Sequence, residues 1–373
     1  MTQRPFVLDA YAARSCPLKT ANAFGDTPAP PAREAPPPPF FHDADAVEAE
    51  VFGRLRSGVG SFIDLRALRG APGAEQEAAA LRAMDEGYEL IVGPLLPRDY
   101  AAHRSGRPSA LLRRPDGYAP VLVKFHRVLE LTGDAEPLLF STLDEPLRVL
   151  ELPGRRFRWG GRLKAALQVA HHWRLLEATG RAASETRAGL VGTERLAVPG
   201  TESRRQHLVI TWLDLAAPLA SPNPASVAEP EAAVRISALQ RYDAEHALRV
   251  LLAQEAMEHG AARSMMPVVN RECRFCVWQE HCAAQLPEDE LSKRIAKAPL
   301  DWHEVLTLRS LGVHTVGDLA GAARHLALCH DPAGLVELLE AEALALLDSG
   351  HYGSLRGWLE GLPAATREAR PLL

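Results

Sequence analysis

Residues 109–124, Ser-Ala-Leu-Leu-Arg-Arg-Pro-Asp-Gly-Tyr-Ala-Pro-Val-Leu-Val-Lys, contain two apolar runs separated by a Pro-Asp-Gly turn. Short apolar runs that are bounded by turn residues are typical of a β-hairpin with buried strands. The second run ends in Lys124, although the whole chain contains only five lysines. We therefore expect a hairpin that places a charged side chain at the end of its second strand.

Helical and strand patterns alternate on both sides of this hairpin, which predicts an α/β fold. A Pro-rich stretch at 26–39 predicts a loop or linker, because proline removes backbone donors. Beyond Pro299 the pattern predicts a small all-α domain. The expected helices cover 42–56, 74–86, 162–179 and 232–259, and the expected strands outside the hairpin cover 88–96, 189–192 and 207–213.

The composition excludes several classes of protein. The chain has 373 residues, of which 47% are hydrophobic, so it can bury a large core. A net charge of -5 argues against a protein that coats nucleic acid by bulk charge, so any nucleic-acid binding must be local. No apolar run is long enough to cross a membrane, and the first residues do not resemble a secretory signal. These features predict a cytoplasmic protein with no membrane partner.

Three cysteines, Cys273, Cys276 and Cys282, lie within ten residues. At this spacing a turn and the start of a helix could surround one metal centre, with Cys16 as the best candidate for a fourth ligand. Cys329 is expected to be a core or surface residue. Four thiolates suit either a tetrahedral zinc ion or a [4Fe-4S] cluster. The alternative is that these are ordinary buried cysteines without a metal.

One N-terminal cysteine and a C-terminal Cys-x2-Cys-x5-Cys bracket the predicted helices and strands. This arrangement resembles the iron-sulfur branch of the RecB-like PD-(D/E)XK nucleases and is similar to CRISPR-associated and AddB-type nucleases, over residues 9–285. The resemblance implies a central mixed sheet flanked by helices and closed by a four-cysteine cluster, with a nuclease-fold domain at 1–290 and a helical domain at 291–373. It also favours a 4Fe-4S cluster over zinc.

The resemblance assigns the nuclease motifs to the hairpin, but without their acids. The family's Gly-x-x-Asp aligns with Gly106–Ser109, and its Asp/Glu-x-Lys aligns with Leu122–Lys124. Ser109 and Leu122 cannot replace paired carboxylates around Mg or Mn, because hard cations need charged oxygen ligands. Enzyme activity is therefore left open. A carboxylate moved to another position would rescue it, and the candidates are Asp64, Asp99, Asp116 and Glu130.

Other motif positions of the family match this sequence better than the two acidic positions do. Lys124 matches the motif lysine, and Gln168 with His172 resembles the Gln-x3-Tyr motif of the helix after the strands. Glu48 resembles the family's helical acid. The resemblance thus implies a remnant catalytic set of Lys124, Gln168 and Glu48, with His172 facing DNA. The alternative for Lys124 is a strand-end lysine that snorkels to solvent. The alternative for Gln168 and His172 is a polar pair on an exposed helical face, and the alternative for Glu48 is an acid on a solvated helical face.

Basic and aromatic residues alternate in Gly154–Arg162, which we expect to form a glycine-flanked loop. Such a loop could pair phosphates and stack on exposed bases. The predicted DNA-binding residues are Arg155, Arg156, Arg158 and Arg162, together with Arg107 beside the hairpin.

Residues 302–319 resemble a helix-hairpin-helix, in which backbone amides can hold a phosphate at a helix start. The alternative for this stretch is a purely structural helical hairpin.

Three functional hypotheses follow from these features. The first is an iron-sulfur protein with a RecB-like nuclease fold that binds DNA in repair or recombination, possesses little or no cleavage activity and works beside a helicase or nuclease partner. The second is an active DNA exonuclease with a relocated carboxylate. The third is a zinc-stapled scaffold that binds a partner protein.

Overall fold

The computed structural model describes residues 5–27, 40–158, 163–197, 206–218, 236–260, 265–270, 272–294 and 302–328, with the single residues 336, 359 and 362. Residues 28–39, most of the predicted Pro-rich loop, therefore lie outside the described residues.

The chain divides into two compact units. The sheet unit comprises Met1–Pro17, Arg33–Pro222 and Val234–Gln254, and the cysteine unit comprises Leu18–Ala32, Asn223–Ala233 and Glu255–Leu373. Cys273, Cys276 and Cys282 lie in the same unit as the helical C-terminal region.

A large mixed sheet forms the centre of the sheet unit. In the described residues its path runs β1-β2-β5-β6-β9-β11-β7-β8, with β10 paired to β11, while β3 and β4 form a separate pair. The strands are β1 (Phe62–Asp64), β2 (Leu90–Val92), β3 (Leu96–Asp99), β4 (Arg104–Gly106), β5 (Ala110–Arg114), β6 (Gly117–Val123), β7 (Glu130–Thr142), β8 (Leu150–Arg158), β9 (Arg187–Val191), β10 (Arg195–Ala197) and β11 (Gln206–Asp214).

The predicted hairpin is confirmed as β5 and β6, which are antiparallel with Ala110 opposite Val121. β2 is antiparallel to β5, and β9 is parallel to β6. A parallel neighbour requires a crossover, and helix α4 (Leu163–Ala178) lies between β6 and β9 in the chain. The Lys124 amide donates to the Val191 carbonyl at 2.8 Å, so Lys124 follows β6 at the edge where β6 and β9 both end. We call this edge the Lys124 edge.

Helices cover both faces of the sheet because the side chains of β6 alternate between two apolar clusters. Val121 and Val123 pack with α2 (Phe40–Ser57), whereas Leu122 packs with α4 on the other face. Helix α3 (Gly73–Asp85) packs on the α4 face. The prediction of an α/β fold with a large mixed sheet flanked by helices is therefore confirmed.

Strands β7 and β8 are the main elements that the sequence did not indicate. Residues 154–158, expected in a loop, belong to β8 and pair with β7, with Thr132 opposite Arg156. Polar and charged residues dominate this part of both strands, so the pair lacks the apolar pattern by which strands are recognised.

The remaining helices are α1 (Pro17–Phe24), α5 (Ala238–His259), α6 (Gln279–Ala284), α7 (Leu291–Arg294), α8 (Trp302–Ser310) and α9 (Val316–Leu328). The helical character predicted for the C-terminal region is thus confirmed in its described part. No described helix combines the length and the apolar character that a membrane span requires.

Candidate nucleic-acid site

Lys124 and Gln168 meet at the Lys124 edge. The Lys124 Nζ donates a short hydrogen bond to the Gln168 Oε1, which joins the end of β6 to α4. Both residues are buried, with 9% of Lys124 and 5% of Gln168 exposed. The structure therefore brings together two of the three residues predicted as a remnant catalytic set.

Arg14 adds a second cation to the same oxygen. Its Nη1 donates to Gln168 Oε1 at 2.9 Å, and its guanidinium lies 5.1 Å from the ring centre of Tyr11. Burial, and to a lesser extent the charge of Arg14, lower the pKa of Lys124 to about 8. Within the described part of the chain, no carboxylate forms an ion pair with Lys124. The Lys124 site, which we define as Lys124, Gln168 and Arg14, thus concentrates positive charge around one neutral acceptor.

The two positions that lack the family's acids lie beside this site. Ser109 Oγ accepts a hydrogen bond from the Val123 amide at 3.1 Å, one residue before Lys124. Leu122 is only 3% exposed and packs in the core against Val169 of α4. A carboxylate at position 122 would have to be buried among apolar side chains, and the leucine instead strengthens the core.

Three of the four acids proposed as relocated ligands lie elsewhere in the described structure. Asp116 sits in the turn at the opposite end of the hairpin, where it accepts from the Ser184 amide at 3.1 Å. Asp99 pairs with Arg104 at 3.1 Å. Asp64 ends β1, which is three strands away from β6, or about 14 Å at the usual strand spacing. The side chain of Glu130 lies outside the described residues.

Glu194 is an acid that the sequence interpretation missed. It follows β9, its carboxylate accepts from the Val128 amide at 3.1 Å, and burial raises its pKa. Its position three residues after an apolar strand could have indicated it. The Val128 amide therefore holds this carboxylate, and no described contact joins it to Lys124.

Glu48, the third predicted member of the catalytic set, is not brought to Lys124 by any described contact. It is half-buried on α2 and its charge acts on Arg66. The hydrogen bond that Arg66 donates to the Asp64 carboxylate is the main cause of the raised pKa of Arg66, and the charge of Glu48 contributes less. Glu48 therefore belongs to a different charge cluster from Lys124 in the described contacts.

His172 lies in the core and not on a DNA-facing surface as predicted, since only 1% of it is exposed. Neither ring nitrogen has a hydrogen-bond partner among the described residues, and burial is the main cause that holds the pKa of His172 well below the ordinary value. The neighbouring His171 Nε2 lies 2.9 Å from the Ser105 carbonyl and its Nδ1 lies 2.8 Å from the Tyr242 hydroxyl. These histidines are neutral core residues that pack α4 against the sheet unit.

The predicted DNA-binding arginines are tested only in part. Arg107 is half-buried and donates to the Gly93 carbonyl at 2.7 Å and to Gln76 Oε1. These bonds hold it within the sheet unit. The side chains of Arg155, Arg156 and Arg158, and the whole of Arg162, lie outside the described residues, so their DNA contacts stay predictions.

The three clustered cysteines face inward more than their apolar neighbours do. Cys273, Cys276 and Cys282 are half-buried, whereas Phe275 is 80% exposed and Val277 is 50% exposed. Hydrophobicity alone would bury the phenylalanine first. The exposure of Phe275 and Val277 is therefore not explained by hydrophobicity alone.

Two of these thiols also receive hydrogen-bond donors. The Asn270 amide lies 3.3 Å from Cys273 Sγ, and Asn22 Nδ2 lies 3.9 Å from Cys282 Sγ. Donors to sulfur are typical of thiolate ligands in metal centres. Yet across the described ranges no group of three or more His, Cys, Asp or Glu side chains is arranged to hold a metal ion. Cys16, the expected fourth ligand, belongs to the sheet unit. The four-cysteine cluster stays a prediction.

The hairpin between α8 and α9 is closed to phosphate by its own hydrogen bonds. The amides of Leu311, Gly312 and Val313 donate to carbonyls of α8, and those of His314 and Thr315 both donate to Asp318. An aspartate at the start of α9 already supplies the negative charge that a helix N-terminus attracts. The described geometry is that of a structural helical hairpin.

Among the predicted site residues, the described structure therefore brings together Lys124 and Gln168, to which Arg14 is added. The Lys124 site offers positive charge, burial and hydrogen-bond donors, and it lacks a described metal ligand. No protein-family model, curated protein or solved structure matches this chain.

Proposed function

We propose that this chain is a DNA-binding protein with a RecB-like PD-(D/E)XK nuclease fold, in which the Lys124 site binds a DNA phosphate without cleaving the strand. The observation that carries this proposal is the pair of cations, Lys124 and Arg14, on one amide oxygen at a strand end. In a nuclease of this type the corresponding edge would hold a divalent cation between acids. DNA repair or recombination is the proposed setting.

The topology supports the proposed fold. A nuclease core of this type orders its elements as helix, three strands, helix and strand. Here α2 precedes the antiparallel strands β2, β5 and β6, and α4 leads to the parallel strand β9. The motif positions Ser109 and Lys124 lie at the same edge, as that fold requires.

Electrostatics favours a phosphate at this site over a metal ion. A buried lysine that has only a neutral partner raises the energy of the native state, and an incoming anion relieves that cost. A divalent cation would instead be repelled by two positive charges. Phosphate contacts of this kind are formed mainly by lysine and arginine and do not depend on base sequence.

The cysteines support a structural metal centre as a second part of the proposal. Cys273, Cys276 and Cys282 would supply three thiolates and Cys16 the fourth, to a 4Fe-4S cluster or, as the alternative, to zinc. When bound, such a group would stabilise the cysteine unit, because the described helices there are mostly short. We propose that the chain works beside a helicase or nuclease partner, and a nuclease partner would supply any cleavage that the repair process requires.

Binding and cleavage should be scored on the same gel. The protein is purified without oxygen and mixed with end-labelled single-stranded, duplex and forked DNA in the presence of Mg or Mn. We expect retarded but intact DNA. Cleavage that is lost in Lys124→Met would show that the acids have moved and that the chain is a nuclease. If no DNA is retarded, the DNA-binding proposal fails and the partner-binding scaffold becomes the better account.

A further inference from the structure

We infer that Phe125, the exposed aromatic side chain that follows Lys124, stacks on an unpaired nucleobase, so that the chain binds single-stranded DNA in preference to duplex DNA. This inference rests on the proposed function, since it names the form of DNA that is bound beside the same site. It follows from the exposure of the ring, from the way its backbone is held and from the charges beside it.

Phe125 lies at the surface although the strand before it is buried. Val123 at the end of β6 belongs to the core, whereas Phe125 is 47% exposed. His126 and Arg127 are exposed as well, and the chain returns to the core at Val128. Residues Phe125–Arg127, which we call the Phe125 segment, therefore present one aromatic and two basic side chains to solvent at the Lys124 edge.

Hydrogen bonds to the residues after β9 hold the backbone of the Phe125 segment. The Thr193 amide donates to the His126 carbonyl at 3.3 Å, and the Val128 amide donates to the Glu194 carboxylate at 3.1 Å. The exposure of Phe125 therefore does not come from an unattached loop. Because its backbone is already fixed, the ring loses little conformational freedom when a flat ligand binds to it.

The charges beside Phe125 favour a nucleobase over an uncharged apolar ligand. A base in a strand is attached to phosphates, which arginine and lysine bind. Arg127 is exposed two residues after Phe125, so its contact with a phosphate does not depend on access to the buried Lys124. Glu194 is an acid near this segment, since the charges of His126 and Arg127 act on it, and its carboxylate is held by a backbone amide. A ring next to basic side chains is the arrangement by which proteins bind single strands.

Stacking on Phe125 requires a base whose face is open. In a duplex each base is covered on both faces by its neighbours, and the grooves present only the base edges. A base of a single strand can instead place its face on an aromatic side chain, and every base can do so because every base has a π-face. Phe125 therefore predicts a preference for single strands that does not depend on sequence.

The test removes the ring from the protein and the bases from the DNA. The affinities of the full-length wild type and of Phe125→Ala are measured by fluorescence anisotropy, with a labelled single-stranded oligonucleotide and with a strand of the same length built from abasic sites. We expect Phe125→Ala to bind the strand with bases about tenfold more weakly than the wild type does, as the loss of one stacked base allows. Both proteins should bind the abasic strand with equal affinity.

Three further variants separate stacking from the loss of any exposed side chain. Tyr100 is 50% exposed, its hydroxyl accepts from Arg98 at 3.2 Å, and no described contact joins it to the Lys124 site. Tyr100→Ala is therefore the matched control and should bind DNA as the wild type does. Phe125→Tyr keeps a ring and should keep the affinity, whereas Phe125→Leu is apolar without a ring and should lose it. Circular dichroism verifies that all variants are folded.

A duplex of the same sequence tests the preference directly. The wild type should bind the single strand more tightly than the duplex. Phe125→Ala should reduce this difference, because the duplex offers no open base face to the ring that is lost.

The outcomes distinguish this inference from the proposed function. DNA binding that is equally strong in the wild type and in Phe125→Ala would overturn the inference and leave the proposed DNA binding intact. An equal loss of affinity for the abasic strand, or the same loss in Tyr100→Ala, would show that the effect is not base stacking on Phe125 and would overturn the inference as well. Absence of binding to every strand would overturn both.

Discussion

Raising the pH from about 7 to about 9 is expected to weaken DNA binding about tenfold through Lys124 alone. The pKa of Lys124 in the unbound protein is about 8, because burial and Arg14 disfavour its charged form. DNA binds the charged form, so the contribution of Lys124 is present below this pKa and is lost as the pH rises through it. The charged fraction falls from about 0.9 at pH 7 to about 0.1 at pH 9, which corresponds to about 1.3 kcal/mol of binding free energy.

Fluorescence anisotropy with a labelled single-stranded oligonucleotide at constant ionic strength measures this slope. Lys124→Met should bind more weakly near neutral pH and should lack this part of the pH dependence. Lys124→Arg retains a charge at all these pH values and should also bind without it. Any change of affinity with pH that remains in Lys124→Met comes from other groups that titrate in this range. If the wild type and Lys124→Met had the same slope, the reasoning about Lys124 would be refuted.

Three further predictions concern stability and metal binding. Lys124→Met should raise the free energy of unfolding by about 3 kcal/mol near pH 7, since the native pKa of about 8 lies below the ordinary 10.5. The free energy of unfolding of the wild type should rise as the pH increases between these two values, so that it approaches that of Lys124→Met. Urea unfolding in which the two free energies do not converge over this pH range would contradict this. Cys276→Ala should lose the bound iron or zinc measured by elemental analysis, whereas Cys329→Ala should keep it; equal metal contents in both variants would contradict the proposed ligand set. Asp318→Ala should cost about 1 kcal/mol by removing the carboxylate that accepts from the His314 and Thr315 amides at the start of α9, and it should leave DNA affinity unchanged. Tighter DNA binding would indicate that these two amides do hold phosphate.

Local patterns predicted the elements that carry Lys124 and Gln168. The hairpin of β5 and β6 was recognisable because its strands are buried and joined by a turn at Asp116. Helix α4 was recognisable because its apolar stripe ends at Gly180, which adopts a φ of 66°. Lys124 and Gln168 could then be paired by the resemblance to the nuclease motifs.

Long-range contacts could not be predicted in the same way. Arg14 lies 154 residues before Gln168, and nothing in the local sequence indicates that the two side chains share a hydrogen bond. His172 was expected to face DNA because it replaces the tyrosine of the Gln-x3-Tyr motif that the helix resembles, whereas the packing of α4 buries it. Strands β7 and β8 were missed because their pairing, and not an apolar pattern, defines them.

The most direct test of the account is an NMR titration of the lysine side chains, with and without a single-stranded oligonucleotide. The chain contains only five lysines, so the Lys124 signal can be identified by its absence from Lys124→Met. The account predicts a Lys124 pKa near 8 in the unbound protein and a clear rise when the oligonucleotide binds, because a phosphate stabilises the charged amine. A Lys124 pKa that is the same in both states would contradict the claim that this buried lysine holds a nucleic-acid phosphate.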